Sequence, residues 1–461
     1  MLKTNNPHNL SLGIDIGTTT LSASVVDTEN GKQIDSYTVL NNSALPVKEE
    51  YRKEQDAAAI FRAVNALLNE ISEKYPNVRS IGVTGQMHGV LYVDKNGEAV
   101  SPLYTWQDKR ADLIYKKGCS YAQTITDLTK KPISSGYGAA THFYNVKNGL
   151  VPPDANKFCS IGDYIGMRLS GEKTPKTDAT NAASIGLFDL ERNVFDENSI
   201  GILGLEKSIF PEVVQTNTLI GRFKDIPVYV AVGDNQASFF GSVANEKESV
   251  LVNYGTGSQI SFIKEKIEKT KGLEIRPYRD GAYLYSGAAI CGGRAYAVIE
   301  KFFSEYLDAC HIEHGKQYDI MNALAKKALE RETDLAFETT FCGTRTDPEK
   351  NGTLKNITEN NFTPANVIYA TLVGMATELF EFFGGSDRKN YRTLVASGNG
   401  VRKNEVLQSV LSSVFDMPVL LPTIKEEAAY GAALWVQVPS SDEKIKTAVK
   451  SRINYKEGVV F

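Results

Sequence analysis

Two short turns rich in glycine and threonine hold the residues of this 461-residue chain best suited to binding phosphate. They lie in the segments Gly13–Thr20, which reads GIDIGTTT, and Asn253–Ser258, which reads NYGTGS. Each turn follows a short apolar strand and leads into another, so the pattern predicts β-hairpins rather than strand-to-helix phosphate loops. Glycine lets backbone N–H groups approach phosphate oxygens closely, and threonine hydroxyls add donors. Two such turns facing one another could hold a triphosphate from both sides.

A carboxylate suited to act as a base, Asp234, follows the apolar strand Val228–Val232 and precedes a helical pattern over Gln236–Val243. In open α/β sheets, ligands bind at the carboxyl ends of the strands, where Asp234 is expected to lie. There it could accept the proton of a hydroxyl group that attacks a terminal phosphate. The alternative is that Asp234 only caps its helix. The two phosphate turns elsewhere in the chain favour the catalytic interpretation.

Asp15 lies inside the first turn segment, where strand alternation points it away from the apolar face. A carboxylate that close to phosphates would be repelled unless a divalent cation stood between them. We therefore expect Mg²⁺ near Asp15, reached through water because Mg²⁺ gives up its hydration shell reluctantly. The alternative is a side chain that only stabilises the turn.

Two segments indicate the acceptor side, Thr84–Gly89 (TGQMHG) and Tyr104–Arg110 (YTWQDKR). The first closes a strand with a glycine-flanked histidine, and the second groups an aromatic ring with a carboxylate and a guanidinium. Polyhydroxylated ligands are commonly held by stacking on one face and charged hydrogen bonds to the hydroxyls. A lone histidine after a strand is more often structural, but the two segments together favour ligand binding.

A third glycine cluster, Ala396–Val401 (ASGNGV), again follows a strand and would permit close approach of a flat ring or a ribose. The same letters also occur in ordinary loops. The small-residue helix expected over Glu426–Leu434 could pack against whatever that loop binds. Close helix packing alone would explain its composition equally well.

The order of predicted elements repeats once along the chain. Three strands, a helix that we expect to begin at Glu54, and a fourth strand occupy residues 10–84, and a similar series begins near Val250. This duplication predicts an α/β protein with two related lobes and a cleft between them. The polar run after residue 243 gives domains 1–244 and 245–461. The charged stretch 442–461 is expected to form a surface helix or tail.

Composition limits the class of protein. A hydrophobic content of 42% and a charged content of 23% are typical of a soluble globular protein, and a net charge of −4 argues against nucleic acid or a membrane surface as the main partner. No apolar leader or membrane span is visible, so the cytoplasm is the expected location. Five scattered cysteines fit reduced thiols. The cluster Cys310, His311 and His314 has ligand-like spacing, but no second pair recurs, so no metal is expected there.

In order and spacing these motifs resemble the FGGY carbohydrate kinases, of the actin, Hsp70 and hexokinase superfamily, over nearly the whole chain. The resemblance implies two ribonuclease H-like lobes of the actin/hexokinase type with an interlobe cleft. It rests on the first turn together with Gly85–Gly89, Thr105–Asp108, Arg110, Gly233–Asn235, Tyr254–Ser258, Ser397–Gly400 and Ala428–Ala433.

Carried over residue by residue, the resemblance also implies roles for single residues. Asp234 is the expected general base, and the expected neighbours of Mg²⁺ are Asp15 and Asp234. The residues expected beside the phosphates of ATP are Gly17, Thr18, Thr19, Gly255, Thr256 and Gly257. Those expected beside adenosine are Gly398, Asn399 and Gly400. Those expected toward the sugar are Met87, His88, Trp106, Asp108, Asp234 and Asn235.

Further segments resemble the sedoheptulokinase branch of the family, with xylulokinases next: Ser135–Thr141, Asn181–Ser184 and Ala288–Gly293. The expected reaction is ATP- and Mg²⁺-dependent phosphorylation of a terminal hydroxyl of a ketose, first of all sedoheptulose to sedoheptulose 7-phosphate. The alternatives are D-xylulose or another ketose or polyol, and a non-catalytic, nucleotide-dependent sugar sensor. Lys109 stands where relatives usually have glycine, and Thr344 stands where xylulokinases typically have glutamate. These departures bear on which sugar is the substrate more than on which reaction occurs. Whether the protein forms a homodimer is left open by the sequence.

Overall fold

The computed structural model describes residues 9–460, apart from 117, 269, 271, 330–332, 345–346, 348, 385–387 and 439–441. The chain divides into two compact units. The first comprises Met1–Ala244, Arg276–Ala282 and Ile424–Ile453, and the second comprises Asn245–Ile275, Tyr283–Thr423 and Asn454–Phe461. The domain assignment 1–244 and 245–461 stays a prediction, and the structure adds that two later segments pack with the first unit. Within the described ranges no helix is both long and apolar enough to cross a membrane.

The first unit is built on a seven-stranded mixed sheet. Its hydrogen-bonded path runs through Leu219–Phe223, Ile226–Tyr229, Val78–Gly85, Leu10–Ile16, Thr20–Asp27 and Gln33–Leu40. The seventh strand, Val232–Gly233, pairs with the end of Val78–Gly85. Leu10–Ile16 is antiparallel to Thr20–Asp27 and parallel to Val78–Gly85. The first glycine turn is therefore a hairpin, as the sequence predicts.

Helices and short strand pairs complete the first unit. Its helices are Ala57–Lys74, Tyr121–Thr129, Gly138–Lys147, Ile161–Ser170, Ala179–Ile185, Glu197–Ile202, Asp234–Ser242, Glu427–Trp435 and Glu443–Lys450, with 3-10 turns at Arg110–Asp112 and Lys207–Ile209. The paired short strands are Glu54–Gln55 with Leu103–Tyr104, Leu91–Val93 with Lys157–Cys159, Ile114–Lys116 with Cys119–Ser120, Lys176–Asp178 with Glu212–Val214, and Phe188–Asp189 with Val194–Phe195.

The first long helix begins later than predicted. Asp56 caps it by accepting a hydrogen bond from the Ala59 N–H, and the helix runs from Ala57 to Lys74 with one apolar face buried. Glu54 and Gln55 instead form a short strand. The expected start at Glu54 is wrong. The helical spacing of apolar residues does not mark where a helix begins, whereas the bond from the Ala59 N–H to Asp56 fixes the first turn at Ala57.

The second unit repeats the arrangement on its own sheet. The path runs through Glu274–Pro277, Tyr283–Ala289, Ser258–Lys264, Ser249–Tyr254, Thr393–Ser397, Val419–Pro422 and Tyr455–Glu457. Its helices are Gly292–Ala309, Tyr318–Leu329, Pro364–Phe383, Asn399–Arg402 and Glu405–Phe415, with a 3-10 turn at Arg388–Asn390 and a strand pair formed by Ala336–Glu338 and Thr353–Lys355. Ser249–Tyr254 is antiparallel to Ser258–Lys264 and parallel to Thr393–Ser397. The second turn is thus also a hairpin, and the predicted duplication is confirmed.

Helix Glu427–Trp435 packs tightly within the first unit, against strands Leu10–Ile16 and Val78–Gly85 and against helix Asp234–Ser242. A Cβ atom placed on Gly13 would lie 1.8 Å from the Ala429 carbonyl oxygen, so only glycine fits at this crossing. Close packing therefore accounts for the small residues of this helix.

The C-terminal stretch forms a surface helix followed by an edge strand. Helix Glu443–Lys450 belongs to the first unit, and Lys450 is buried. Tyr455–Glu457 forms an edge strand beside Val419–Pro422 in the second unit. The helix lies at the surface as expected, since only Val449 and Lys450 of it are buried. The expectation of a tail is wrong for Tyr455–Glu457, because backbone pairing of a strand does not depend on apolar side chains.

Candidate active site

The first glycine turn is held by polar side chains that bond to its backbone. Asn41 donates from Nδ2 to the Gly17 carbonyl at 2.8 Å, and its backbone N–H donates to the Thr19 carbonyl at 2.9 Å. Gln55 donates from Nε2 to the Thr18 carbonyl at 2.8 Å. Three consecutive carbonyls thereby have partners, which fixes the turn and favours N–H groups over carbonyls as its ligand-binding atoms.

The Thr18 hydroxyl links this turn to the predicted acceptor side. It donates to Gln86 Oε1 at 3.2 Å and accepts a hydrogen bond from the Trp106 indole N–H at 3.0 Å. Gln86 is fixed in turn by donating from Nε2 to Gln55 Oε1 at 2.8 Å. Two residues predicted to serve different ligands, Thr18 for phosphate and Trp106 for sugar, are therefore in direct contact.

Asp234 is the first residue of helix Asp234–Ser242 and follows strand Val232–Gly233 directly. Gly233 is the N-cap, so Asp234 lies in the first turn and is not the capping residue. Its role as a base stays a prediction. The Asp234 Oδ1 atom is buried without a hydrogen-bond partner in the described structure. Burial raises the pKa of Asp234 to about 6, although Arg276 and the Asn235 backbone N–H act in the opposite direction. A carboxylate that titrates near neutrality is suited to accept a proton.

Asp15 belongs to a group of mutually repelling carboxylates. Burial, followed by the negative charges of Asp234 and Glu426, raises the pKa of Asp15 to about 7. Among the residues that the structure describes, no group of three or more His, Cys, Asp or Glu side chains could hold a metal ion directly. Repelling carboxylates and an unpartnered buried oxygen fit a divalent cation bound through its water shell, without a protein cage.

Met87 lies beside the start of the Asp234 helix. Its side chain is buried, and its sulfur accepts contacts from Asn235 Nδ2 at 3.7 Å and from Arg276 Nη1 at 3.6 Å. A Cβ atom on Gly233 would lie 2.8 Å from the Met87 sulfur. Of the predicted acceptor residues, Met87, Asp234 and Asn235 are thus brought together.

His88 is held in an uncommon backbone conformation, with φ at 72°. Its backbone N–H donates to Ser184 Oγ at 3.1 Å, and its ring Nδ1 lies 2.9 Å from the Ser184 carbonyl, which requires a proton on Nδ1. The ring packs on Tyr137 with centroids 4.4 Å apart. Strained conformations of this kind are retained at functional sites when their surroundings fix them.

Asp108 lies in a buried ion-pair network. One carboxylate oxygen accepts from Arg110 Nε at 2.7 Å, and the other accepts from the Lys53 backbone N–H at 3.0 Å. Arg110 also bonds to Glu54 at 2.7 Å and to Asn145 at 3.0 Å. Both oxygens of Asp108 are therefore engaged by the protein. Direct contact of Asp108 with sugar stays a prediction. Within the network, Asp108 supports the segment that presents Trp106.

Arg276 is a residue that the sequence analysis missed. It is buried in the first unit and contacts the Met87 sulfur. Its positive charge acts to lower the pKa of Asp234, against the larger effect of burial. The only signal in the sequence is an arginine before a proline in a short strand, Glu274–Pro277, which matches no motif.

The second glycine turn, in the second unit, is held by backbone rather than side chains. The Gly293 N–H donates to the Gly255 carbonyl at 3.0 Å, and the Arg294 N–H donates to the Thr256 carbonyl at 2.9 Å. Both donors lie in the first turn of helix Gly292–Ala309. The helix therefore begins directly against the turn.

A pocket of about 450 Å³ opens in the second unit beside the third glycine cluster. Its lining includes Asn399 and Gly400 from that cluster and two tyrosines, Tyr296 and Tyr318, whose rings stack 5.9 Å apart. Gly398 has a φ of 92°, and a Cβ atom there would lie 2.5 Å from the Tyr254 carbonyl oxygen. The volume and the mixed aromatic and polar lining suit a small planar ligand.

The Cys310, His311 and His314 cluster lies just after helix Gly292–Ala309. His314 contacts Asp308 and the Gly315 carbonyl, at 3.2 and 2.9 Å. No direct metal group includes these residues in the described part of the chain.

Comparisons with known proteins match both halves of the chain. The N-terminal domain model of the FGGY family of carbohydrate kinases matches residues 10–241, and the C-terminal domain model matches residues 250–437. Mouse sedoheptulokinase is 26% identical over an alignment of 470 residues including gaps, and the alignment covers 92% of this chain and 96% of that protein. Human sedoheptulokinase is 25% identical over 478 residues with the same coverage.

A solved structure extends the comparison to the fold. The ligand-bound xylulose kinase from Lactobacillus acidophilus superimposes with a TM-score of 0.82 at 20% identity, covering 98% of this chain and 94% of that one. The predicted two-domain α/β fold of the actin/hexokinase type is thus confirmed. The cleft between the lobes stays a prediction.

Proposed function

Because the chain belongs to the FGGY family of carbohydrate kinases, we propose that it transfers the γ-phosphoryl group of ATP to a terminal hydroxyl of a ketose, sedoheptulose being the first candidate. Asp234 carries the proposal, since its buried, unpartnered oxygen and raised pKa suit the base of such a reaction. The sugar rests on the mouse and human sedoheptulokinases, which are similar over 92% of this chain. The cytoplasmic location stays a prediction.

In the proposed reaction, the acceptor hydroxyl oxygen attacks the γ-phosphorus of ATP while the bond to the β-phosphate oxygen breaks and ADP leaves. The hydroxyl proton passes to the Asp234 carboxylate. The transition state of phosphoryl transfer is loose, so positioning and charge neutralisation supply most of the rate, and the base receives its proton late. At neutral pH a carboxylate with a pKa of about 6 is mostly ionised and ready to accept that proton.

The nucleotide and the sugar would contact different sets of residues. The turn amides of Gly17–Thr19 and Gly255–Gly257 would donate to phosphate oxygens, and the pocket beside Asn399 would take adenosine. Met87 and Asn235, with His88 and Trp106, would contact the sugar.

Mg²⁺ is part of the proposal. Asp15 and Asp234 would hold it through water, and the bound ion would neutralise phosphate charge. Asp15 and Asp234 repel one another while no cation lies beside them, so cation binding should also draw the proton from Asp15.

The test is a sugar panel at fixed ATP and Mg²⁺, with ADP release coupled to an optical signal. Sedoheptulose, D-xylulose, D-gluconate and glycerol are compared by kcat/KM, and the phosphorylated carbon is located by NMR. We expect sedoheptulose to give the highest value, because a site with fixed polar groups can reject near relatives strongly. A higher kcat/KM for D-xylulose would make D-xylulose the proposed substrate and leave the proposed reaction unchanged. ATP binding without phosphorylation of any sugar would favour the sensor.

A further inference from the structure

Two cysteines lie close together in the second unit although they are 51 residues apart in the chain. Cys291 is buried, Cys342 is exposed, and their sulfur atoms are 3.5 Å apart. A disulfide needs a sulfur separation of about 2.05 Å, so closing the gap must draw Cys291 and Cys342 toward one another. Both cysteines are free thiols in the structure.

The surroundings give the two sulfurs different roles. Arg294 Nη1 lies 3.6 Å from the Cys342 sulfur, and the Cys291 S–H donates to the same atom. The hydrogen bond from Arg294 lowers the pKa of Cys342, whereas burial, with Cys342 nearby, raises the pKa of Cys291. An exposed thiolate beside a guanidinium is the more reactive nucleophile, and a protonated neighbour is suited to resolve its oxidised form.

Cys291 is also joined to the second glycine turn. It is the residue before helix Gly292–Ala309, whose first N–H groups bond to the turn. A Cβ atom on Gly292 would lie 2.2 Å from the Gly257 carbonyl carbon, so the helix start and the turn are in backbone contact. A displacement of Cys291 therefore cannot be absorbed between the helix and the turn.

We infer that Cys291 and Cys342 form a reversible disulfide site whose closure displaces the second glycine turn and weakens ATP binding. The link to ATP rests on the proposed function, whereas the disulfide itself does not. Of the other three cysteines, Cys310 is an exposed free thiol in the same unit.

The chemistry balances with a hydroperoxide as oxidant. The Cys342 thiolate attacks a peroxide oxygen, the S–O bond forms, the O–O bond breaks, and hydroxide leaves as water after taking up a proton. The Cys291 sulfur then attacks the sulfenic acid, the S–S bond forms, the S–O bond breaks, and water leaves with the Cys291 proton. Two thiols lose two electrons and hydrogen peroxide becomes two waters; a dithiol reductant reverses the change.

The test treats the full-length protein with hydrogen peroxide, blocks remaining thiols by alkylation and maps peptides without reductant. We expect a linked peptide pair containing Cys291 and Cys342. ATP affinity measured by calorimetry without sugar should fall about tenfold, as for the loss of one hydrogen bond to a charged phosphate. Dithiothreitol should restore both. Cys342→Ser should keep its initial affinity and resist peroxide, while Cys310→Ser should behave as the unmodified protein.

Three outcomes contradict the inference. Failure of the two peptides to link, or oxidation of Cys342 beyond sulfenic acid without linkage, overturns the disulfide site. Linkage with unchanged ATP affinity overturns its coupling to the turn. Because peptide mapping needs neither ATP nor a sugar, these results remain separate from failure of the proposed kinase reaction.

Discussion

The two glycine turns occupy equivalent places in the repeated topology but are supported in different ways. Side chains of Asn41, Gln55, Gln86 and Trp106 hold the first turn or its Thr18 hydroxyl. Backbone N–H groups at the start of helix Gly292–Ala309 hold the second. Similar letters thus give similar hairpins, while the support of each turn comes from elements remote in sequence.

This difference predicts different sensitivities. A side-chain network loses one hydrogen bond at a time, and its remaining members keep the turn in place. A backbone-to-backbone contact without space for a Cβ atom has no such reserve, so one added methyl group must move the backbone itself. The second turn should therefore be the more fragile of the two, and the first the more adjustable.

The largest expected effect comes from Asp234→Ala, which removes the proposed base and sets the scale for changes in either turn. We expect kcat to fall by about 10²–10⁴ while ATP binding persists, because the base acts in the chemical step. Steady-state kinetics and calorimetry measure the two quantities. Asp225→Ala, at an exposed aspartate of the same unit, is the matched control. Wild-type turnover in a folded Asp234→Ala protein would remove Asp234 from the mechanism.

Gly292→Ala tests the fragile turn. Its Cβ atom would lie 2.2 Å from the Gly257 carbonyl carbon and 2.4 Å from the Ser258 nitrogen. We expect the KM for ATP to rise about tenfold or more, as for the loss of one or two hydrogen bonds to charged phosphate oxygens. The control is Gly315→Ala, because a Cβ atom there meets nothing within 4 Å. An unchanged KM would show that the helix start can move without disturbing the turn.

The pH profile separates the base from both turns. Because burial raises the pKa of Asp234 to about 6, we expect kcat/KM to be level above that pH and to fall about tenfold per unit below it, as the base becomes protonated. Rates from pH 4.5 to 8 measure the profile, with stability checked at each pH. A profile level down to pH 4.5 would contradict the raised pKa.

Trp106→Phe tests the adjustable turn by removing the indole donor to Thr18. An aromatic ring remains at position 106, and Gln55 still holds the turn backbone. We therefore expect kcat/KM to fall only about threefold to tenfold, as for the loss of one hydrogen bond. Gln107→Ala, at the exposed neighbouring position, is the control. A loss as large as that of Gly292→Ala would reverse the comparison between the turns.

The smallest effect is expected for the stability of Asp15→Asn. The folded-state pKa of Asp15 is raised to about 7, so ionising this carboxylate disfavours the folded state as pH rises from about 4 to about 7. Asn removes that charge, and Tm without Mg²⁺ should rise by about 2–4 °C at pH 8, corresponding to roughly 1 kcal/mol. Near pH 3.5 the Tm should hardly change. Scanning calorimetry at both values checks the sign, and a lower Tm at pH 8 would contradict it.

Much of the fold could be predicted because it depends on short-range patterns. Helix Pro364–Phe383 shows such a pattern, because Thr363 caps it and Pro364 lies in its first turn, and both are signals that the sequence displays. Errors lie where pairing or capping decides, as at Glu54, which forms a strand, and at Tyr455–Glu457, which joins a sheet edge. In each case a partner distant in sequence provides the hydrogen bonds.

The candidate site divides in the same way. Asp234 could be singled out because it follows a strand at the sheet edge where ligands bind, in a chain that also carries two phosphate turns. Arg276 and Glu426 could not, because their effects on the pKa values of Asp234 and Asp15 depend on segments that only folding brings near. Asp108 was singled out by its motif, yet its buried pairing with Arg110 follows from contacts that no spacing reveals.

The sequence by itself determined the family, the repeated α/β pattern, both hairpin turns and the position of Asp234, because turn chemistry and strand periodicity act over a few residues. The tertiary structure alone decided how each turn is supported, which carboxylates repel one another and which two of five cysteines meet. These properties depend on distance and burial, and both arise only when remote segments pack together.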